Sequence, residues 1–319
     1  MQAGQIDILL LVGIIGYTTL IAATPLILAA LGGMFSERSG VVNIALEGMM
    51  LMGALMGAVG SYFTGNPWIG IFYAIIVGGL MGLIHGLVSV KLKGNQIVSG
   101  TGIIIFAAGF TTVMLWVVWG QKGVSDPVIP IPEIVIPPLL GVPILGPMFG
   151  SQSPLVYIMF ALIPICWFVL YRTSFGLRLR AAGEDPSTLD SAGVNVETVR
   201  MIAVILSGCL AGLAGAYLSI GFGSSFSRNM VAGRGFIALA ALIFGNWTPF
   251  GVLIAGLFFG FLDGLKIAIQ VTPALGFLYP FNLWLRMIPY LGVIIALGII
   301  RRSVPPKAIG VPYIKERGV

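Results

Sequence analysis

Residues 172–200 read RTSFGLRLRAAGEDPSTLDSAGVNVETVR. The stretch is polar, carries four arginines, and is set between two long apolar runs, roughly 154–171 and 200–220. An apolar run of about 20 residues is the length that crosses the hydrocarbon of a bilayer as a helix. A hydrophilic segment between two such runs therefore sits outside the membrane, on one side of it. Working outward, further apolar runs cover roughly 8–31, 41–60, 68–90, 97–119, 235–246, 251–270 and 282–300. The run 235–246 is short for a crossing and reads as a half-helix or part of a re-entrant element. The fold class is all-α, a polytopic transmembrane helix bundle of about eight to ten spans.

Composition supports this. Of 319 residues, 58% are hydrophobic and 9% charged, where a soluble domain carries about 25% charged residues. The strand-period alternation of an outer-membrane barrel is absent. No hydrophilic stretch exceeds a loop or tail, so 1–319 reads as a single transmembrane domain. Cys166 and Cys209 both fall in apolar runs and read as small buried hydrophobes. One histidine, His85, cannot build a metal cluster alone. No Lys or Arg precedes Arg38, so the first apolar run is expected to be a retained span rather than a cleaved signal.

The net charge of +6 reflects sidedness, not nucleic-acid binding. If 172–200 is cytoplasmic, alternation of the spans places Arg38, Lys91, Lys93 and the tail from Arg301 on the same side. That side then holds twelve of the 17 basic residues, against Lys122, Arg228 and Arg234 opposite. Lys266 and Arg286 fall within spans, near their outer ends, where long side chains snorkel. The positive-inside rule then puts the C-terminus in the cytoplasm and the N-terminus outside. The outer loop 120–153 holds six prolines between 127 and 143. Proline at that density forbids a long helix, and an extended segment at the membrane surface is expected. It reads as a linker, or as a cap or docking surface over a pathway mouth.

Several polar groups fall within apolar runs. Asn43 and Glu47 are four apart, a spacing that places both on one helix face. A carboxylate in a span is costly and is a functional candidate, for a transport pathway or for a hydrogen bond to a neighbouring helix N-terminus or to Asn43. Asp263 and Lys266 are three apart, which suits an intrahelical ion pair or a pathway lining. His85 reads as a satisfied core histidine or a pathway residue. Asn246 lies in the interfacial turn Gly245-Asn246-Trp247-Thr248-Pro249. Glycines at helical spacing (Gly78, Gly82, Gly86; Gly208, Gly212; Gly256, Gly260, Gly264) mark faces where helices approach closely or slide.

No HExxH, Gly-x-Ser-x-Gly or Walker A sequence occurs. The chain therefore uses an ion gradient, borrows an ATPase, or conducts passively. Within 172–200, Glu184-Asp185-Pro186 is a helix start, Ser187 to Ala192 a short helix, and Gly193 its stop. A second start follows at Asn195, with Glu197 in its first turn. Such a surface helix is a socket for a soluble protein or a plain interfacial helix.

Three stretches carry a family resemblance: SERSGVVNIALEGMMLMG (36–53), FGLRLRAAGEDPSTLDSAGVNV (175–196) and GRGFIALAALIFGNWTPFG (233–251). Together they resemble the permease subunits of bacterial ABC importers, in the branch shared by ribose, galactoside and branched-chain amino acid systems. SERSGVVNIALEGMM is most similar to the sugar/nucleoside subgroup, which works with a basic-membrane-protein-type lipoprotein. The resemblance implies a multi-pass protein of the bacterial cytoplasmic membrane with a broken second span carrying Asn43 and Glu47. It implies a heterodimer with a longer sister permease, and an extracellular lipoprotein or periplasmic solute-binding protein that delivers nucleosides or simple sugars. It also implies an ABC ATPase that binds ATP and magnesium, so this chain is no enzyme and holds no cofactor. The ATPase would dock on a cytoplasmic coupling helix formed by Gly183, Glu184, Asp185, Pro186, Ser187, Thr188, Leu189, Asp190, Ser191, Ala192, Gly193 and Val194. The pathway candidates are Asn43, Glu47, His85, Asn246, Asp263 and Lys266. A secondary transporter coupled through Glu47, His85 or Asp263 is the alternative, and a membrane-embedded enzyme lacks paired catalytic groups.

Overall fold

In the computed structural model, the described residues are 8–272 and 303–314, with isolated positions between them. The apolar run 282–300 and the tail beyond 314 lie outside these residues. The chain begins with α1 (Ile8–Arg38), 31 residues long, which outruns the expected span because Ser36-Glu37-Arg38 continue the helix. Pro25 removes one hydrogen bond inside α1, and the Thr24 hydroxyl donates to the Leu20 carbonyl at 2.7 Å beside it. Next come α2 (Leu46–Thr64), α3 (Pro67–Gly86, continued by a π-helical turn to Lys91) and α4 (Gln96–Trp119). Asn66 and Asn95 cap the last two through their side-chain oxygens.

The Pro-rich segment is extended over its first half, as expected, but it is stitched to the bundle rather than lying free. Ser125 N–H donates to Phe226 O, Val128 N–H to Ser224 O and Ile131 N–H to Ile220 O, each at 2.7 to 2.8 Å. A two-residue strand pair, β1 (Ile134–Val135) with β2 (Ser151–Gln152), then brackets two short helices, α5 (Pro137–Leu140) and α6 (Leu145–Phe149). After them run α7 (Pro154–Arg172), α8 (Ser174–Glu184), α9 (Pro186–Ser191), α10 (Val196–Ala216, continued by a π-helical turn to Phe222), α11 (Arg234–Phe244) and α12 (Pro249–Val271).

Among the described residues seven helices are long and apolar enough to cross a membrane: α1, α2, α3, α4, α7, α10 and α12. The short apolar run, the seventh along the chain, forms α11, 11 residues long. At 1.5 Å per residue that is about 16 Å, half of a bilayer's hydrocarbon core. This is the half-helix expected at 235–246.

The glycine seams join specific helices. A side chain at Gly78 would run into the backbone of Gly208 and Gly212, and one at Gly82 into Val204 O, so α3 and α10 touch backbone to backbone. Gly260 and Gly264 face Ala23 and Thr18 in the same way, which seats α12 on α1. Without a hydrophobic drive between helices in lipid, such close approach supplies the dispersion contacts that hold the bundle. Among the described residues, α2 is the most enclosed span. It packs through Gly53 on Gly212 of α10, and through Gly48 on Ile103 and Ile104 of α4.

Candidate translocation and coupling site

The second span is broken ahead of α2. Arg38, at the end of α1, donates through Nε to Trp247 O at 2.8 Å, in the turn between α11 and α12. Nine residues later Glu47 meets the opposite end of α11. The intervening segment 39–45 is not helical, yet it is almost wholly buried. Irregular backbone survives at such depth only where its N–H and C=O groups find partners inside the protein. Here several bonds supply them. Gly40 N–H donates to Glu37 O and Val41 N–H to Ser36 O. The Ser36 hydroxyl donates to Val41 O at 2.7 Å, and Val42 N–H to Gln96 Oε1 at 2.7 Å.

His85 belongs to this account. It is fully buried on α3, with Nε2 3.0 Å from Val42 O and Nδ1 3.0 Å from Ser99 Oγ on α4. A carbonyl can only accept, so Nε2 donates and Nδ1 accepts a hydrogen bond from the Ser99 hydroxyl. Both nitrogens are used, which is the satisfied core histidine. Glu37 was not singled out from the sequence. It is 3% exposed and accepts from Trp247 Nε1 at 2.6 Å. Two of the three family-like stretches, 36–53 and 233–251, are thereby locked together.

The expectation that Asn43 and Glu47 share a helix face is corrected. Asn43 precedes α2, in non-helical backbone, and its Nδ2 donates to Ser207 Oγ of α10 at 2.8 Å. Its Oδ1 is buried without a hydrogen-bond partner. Glu47 turns the other way. Its Oε1 accepts from Gly233 N–H at 2.8 Å and its Oε2 from Gly235 N–H at 2.7 Å. These are unsatisfied first-turn amides of α11, and the positive end of the helix dipole faces the carboxylate. Gly233 adopts φ +86°, and Gly235 presses against the Glu47 backbone, where a side chain would collide. Of the alternatives for Glu47, the bond to a neighbouring helix N-terminus is the observed one.

Arg234 was expected on the outer side of the membrane. It is the first residue of α11, and its guanidinium reaches Met230 O at 3.1 Å and Asp263 Oδ2 at 3.4 Å. Asp263 Oδ1 meets Lys266 Nζ at 2.5 Å, the intrahelical pair anticipated from the spacing. Glu47, Arg234, Asp263 and Lys266 thus form one neighbourhood with two charges of each sign. The sequence signal for Arg234 was the Gly-Arg-Gly at the head of a short span. Asn246 lies apart from this group, in the turn at the far end of α11, where its Oδ1 accepts from Val304 N–H at 3.0 Å. A cleft of about 420 Å³ opens between α1 and the segment 133–151, lined by Tyr17 and Glu133 among others. The Glu133 carboxylate there accepts from the Ser151 hydroxyl.

The 172–200 stretch contains more helix than expected, because α8 occupies 174–184, capped by the Thr173 hydroxyl at Gly176 N–H. Gly183 and Glu184 end α8 and do not belong to the short helix. Asp185 caps α9, accepting from the hydroxyls of Ser187 and Thr188 at 2.6 Å and from their amides at 3.1 Å. Those bonds, the two hydroxyls first, hold its carboxyl down to about 2. Gly193, at φ +81°, ends the turn, and Asn195 caps α10 at Thr198 N–H. Leu189 is buried beneath α9, while Glu184, Asp185, Ser187, Thr188 and Ser191 face out. Gly183 is seated on Arg38 O, so closely that a side chain there would clash. The hydrophilic loop therefore bears directly on the end of α1.

A bundle with a half-helix, a broken second span and a surface helix braced against span ends is the architecture of a membrane permease. The family of branched-chain amino acid transport system permease components matches residues 16–297, and the chain belongs to it. The guanosine ABC transporter permease NupQ of Bacillus subtilis is 41% identical, over 98% of this chain and 99% of its own length. The nucleoside ABC transporter permease NupC of Lactococcus lactis is 36% identical, over 93% and 96%. A second guanosine permease of Bacillus subtilis, NupP, is 29% identical over 78% and 72%. A solved inward-facing conformation of an ABC transporter of the metal-chelate type shares the fold, with TM-score 0.50 and 13% identity over 94% and 92% of the two chains.

Proposed function

We propose that this chain is the membrane-spanning subunit of an ATP-driven importer, and that it carries nucleosides handed over by an external binding protein. The observation that carries the reading is the seat of Gly183 on Arg38 O. A soluble ATPase pressing on α9 would move the end of α1. Arg38 and Glu37 would pass that movement to Trp247 and the α11–α12 turn. Glu47 and Arg234 would feel it at the other end of α11. Rocking of such rigid groups about a central path is alternating access. The nucleoside substrate is supported by the names of NupQ and NupC; a simple sugar is the second reading.

The basic residues support the orientation. Arg38, Arg172, Arg178, Arg180 and Lys307 gather at the end that bears α9, so that end is assigned to the cytoplasm, with the 303–314 segment. A second permease completes the path, as the two Bacillus subtilis permeases suggest. Gradient coupling is disfavoured because Glu47 and Asp263, the carboxylates it would use, have their oxygens engaged by protein donors. The test is mild-detergent capture from native membranes with mass spectrometry, joined to labelled-guanosine uptake in ATP-loaded vesicles. ATP-dependent uptake with a co-purified ATPase is expected. Uptake by this chain alone, abolished by an uncoupler, would overturn the proposal.

A further inference from the structure

The segment 303–314, SVPPKAIGVPYI, is bonded to five separate places within twelve residues. Ser303 Oγ donates to Ile243 O at 3.3 Å, and Val304 N–H to Asn246 Oδ1 at 3.0 Å, both at the α11–α12 turn. Ala308 N–H donates to Gly183 O at 2.8 Å, at the end of α8. Gly310 N–H donates to Gly40 O at 3.0 Å, in the break before α2. Val311 O accepts from Arg200 Nη1 at 2.9 Å, at the start of α10. Tyr313 Oη donates to Asp190 Oδ2 at 3.0 Å, on α9.

Arg200 is the clasp. It is 2% exposed, and its Nη2 donates to Ala182 O at 3.0 Å while Nη1 holds Val311 O. No described carboxylate is paired with it within salt-bridge distance; the guanidinium is held by carbonyl oxygens alone. Burying a cation without a counter-ion is costly, and a fork of fixed donors recovers the cost only while both carbonyls stay in place. Three prolines, Pro305, Pro306 and Pro312, stiffen the segment and reduce the entropy lost on laying it down.

We infer that residues 303–314, clasped by Arg200, are a strap that ties the motion of α9 to the α11–α12 turn and to the broken second span. The inference rests on the ATP-driven reading above. Without the strap, α9 reaches the transport helices through α8, the Gly183 seat and the short turn 192–195 into α10. With it, a push on Asp190 is delivered through Tyr313 to Arg200, Gly40 and Asn246 together. Arg200 and Tyr313 are assigned as positioning residues, acting through the helices they tie together.

The experiment uses the complete transporter in proteoliposomes and reads ATP hydrolysed per guanosine imported, for wild type, Tyr313→Phe and Arg200→Lys. Removal of one hydrogen bond shifts a two-state balance by about fivefold. The expected result is a rise of about that size in ATP used per solute, with the ATPase still co-purifying in wild-type amount. A slowed, fully coupled cycle is what a merely structural lesion gives, and an unchanged ratio would overturn the strap. So would parallel loss of the ATPase from the complex, since that makes the segment part of the docking surface. Wild-type uptake without ATP would sink the parent reading and the strap with it, and it shows before any variant is made. Hydrogen exchange gives a second arm that needs no transport. The Ala308 and Gly310 amides are expected to be protected in wild type and to exchange faster in Arg200→Lys; unprotected wild-type amides would refute the strap.

Discussion

Replacing Glu47 tests the central geometry most directly. Its two oxygens accept from the amides of Gly233 and Gly235 at 2.8 and 2.7 Å, in a site where the residue is 6% exposed. Hydrogen bonds to a charged group are each worth about 1.5–3 kcal/mol. Glu47→Ala removes both and leaves two first-turn amides of α11 without an acceptor, so a loss of about 3–6 kcal/mol is expected. Glu47→Gln keeps one carbonyl oxygen and should lose about half of that. At about 2 °C per kcal/mol for a chain of this size, the melting point should fall by about 6–12 °C for the alanine variant and about 3–6 °C for the glutamine variant. The assay is thermal melting in detergent, followed with a thiol-reactive dye that reports exposure of the buried Cys166. Hydrogen exchange at Gly235 should accelerate in step. An alanine variant that melts within about 1 °C of wild type, with Gly235 exchange unchanged, would refute the capping role of Glu47.

Other outcomes follow from the same structure. Gly208→Val drives a side chain into the Gly78 carbonyl and should destabilise the bundle by about 1–3 kcal/mol, whereas Gly109→Ala on α4, with open space around it, should be neutral or slightly stabilising; melting of the two side by side checks this. Asp263→Asn leaves Arg234 and Lys266 without their shared counter-ion and should cost about 3 kcal/mol, while Lys266→Met, which leaves the Arg234 pair, should cost less; a double-mutant cycle with Arg234 separates the contributions. Asp185 has its carboxyl held down to about 2, so its capping of α9 is complete above the ordinary aspartate range and is lost as pH falls from about 4 through 2. Thr188 amide protection should therefore be flat between pH 5 and 8 in wild type and reduced at every pH in Asp185→Ala; a wild-type loss near pH 6 would contradict the cap.

Much of the site's scaffold was legible before any fold was known. The cap of α9 lies within three residues of Asp185, so a local pattern suffices to place it. The Asp263–Lys266 pair follows from helical spacing in the same way. The half-helix announced itself by length. Asn43 and Glu47 were misread together because their spacing was taken as helical. Ser36, Glu37, Gln96 and His85 bond the backbone of 39–45 from outside it, so the chain there has no need of a helix. The partner of Arg234 was not legible, because the sequence reading gave only the side of the membrane it lies on. Its counter-ion is 29 residues away on another helix.

The sequence by itself determined the class of the molecule: apolar runs long enough to span a bilayer, basic residues concentrated on one side, a capped surface helix between spans, and small-residue faces where helices meet. Each is a property of neighbours within a turn or of composition over about twenty residues, and short-range physics is enough to read it. Only the tertiary structure decided what those parts face. Glu47 meets Gly233 across 186 residues, Glu37 meets Trp247 across 210, and Arg200 meets Val311 across 111. In a low-dielectric interior each buried polar group must find a partner wherever the fold brings one, and local pattern carries no record of which distant residue that is.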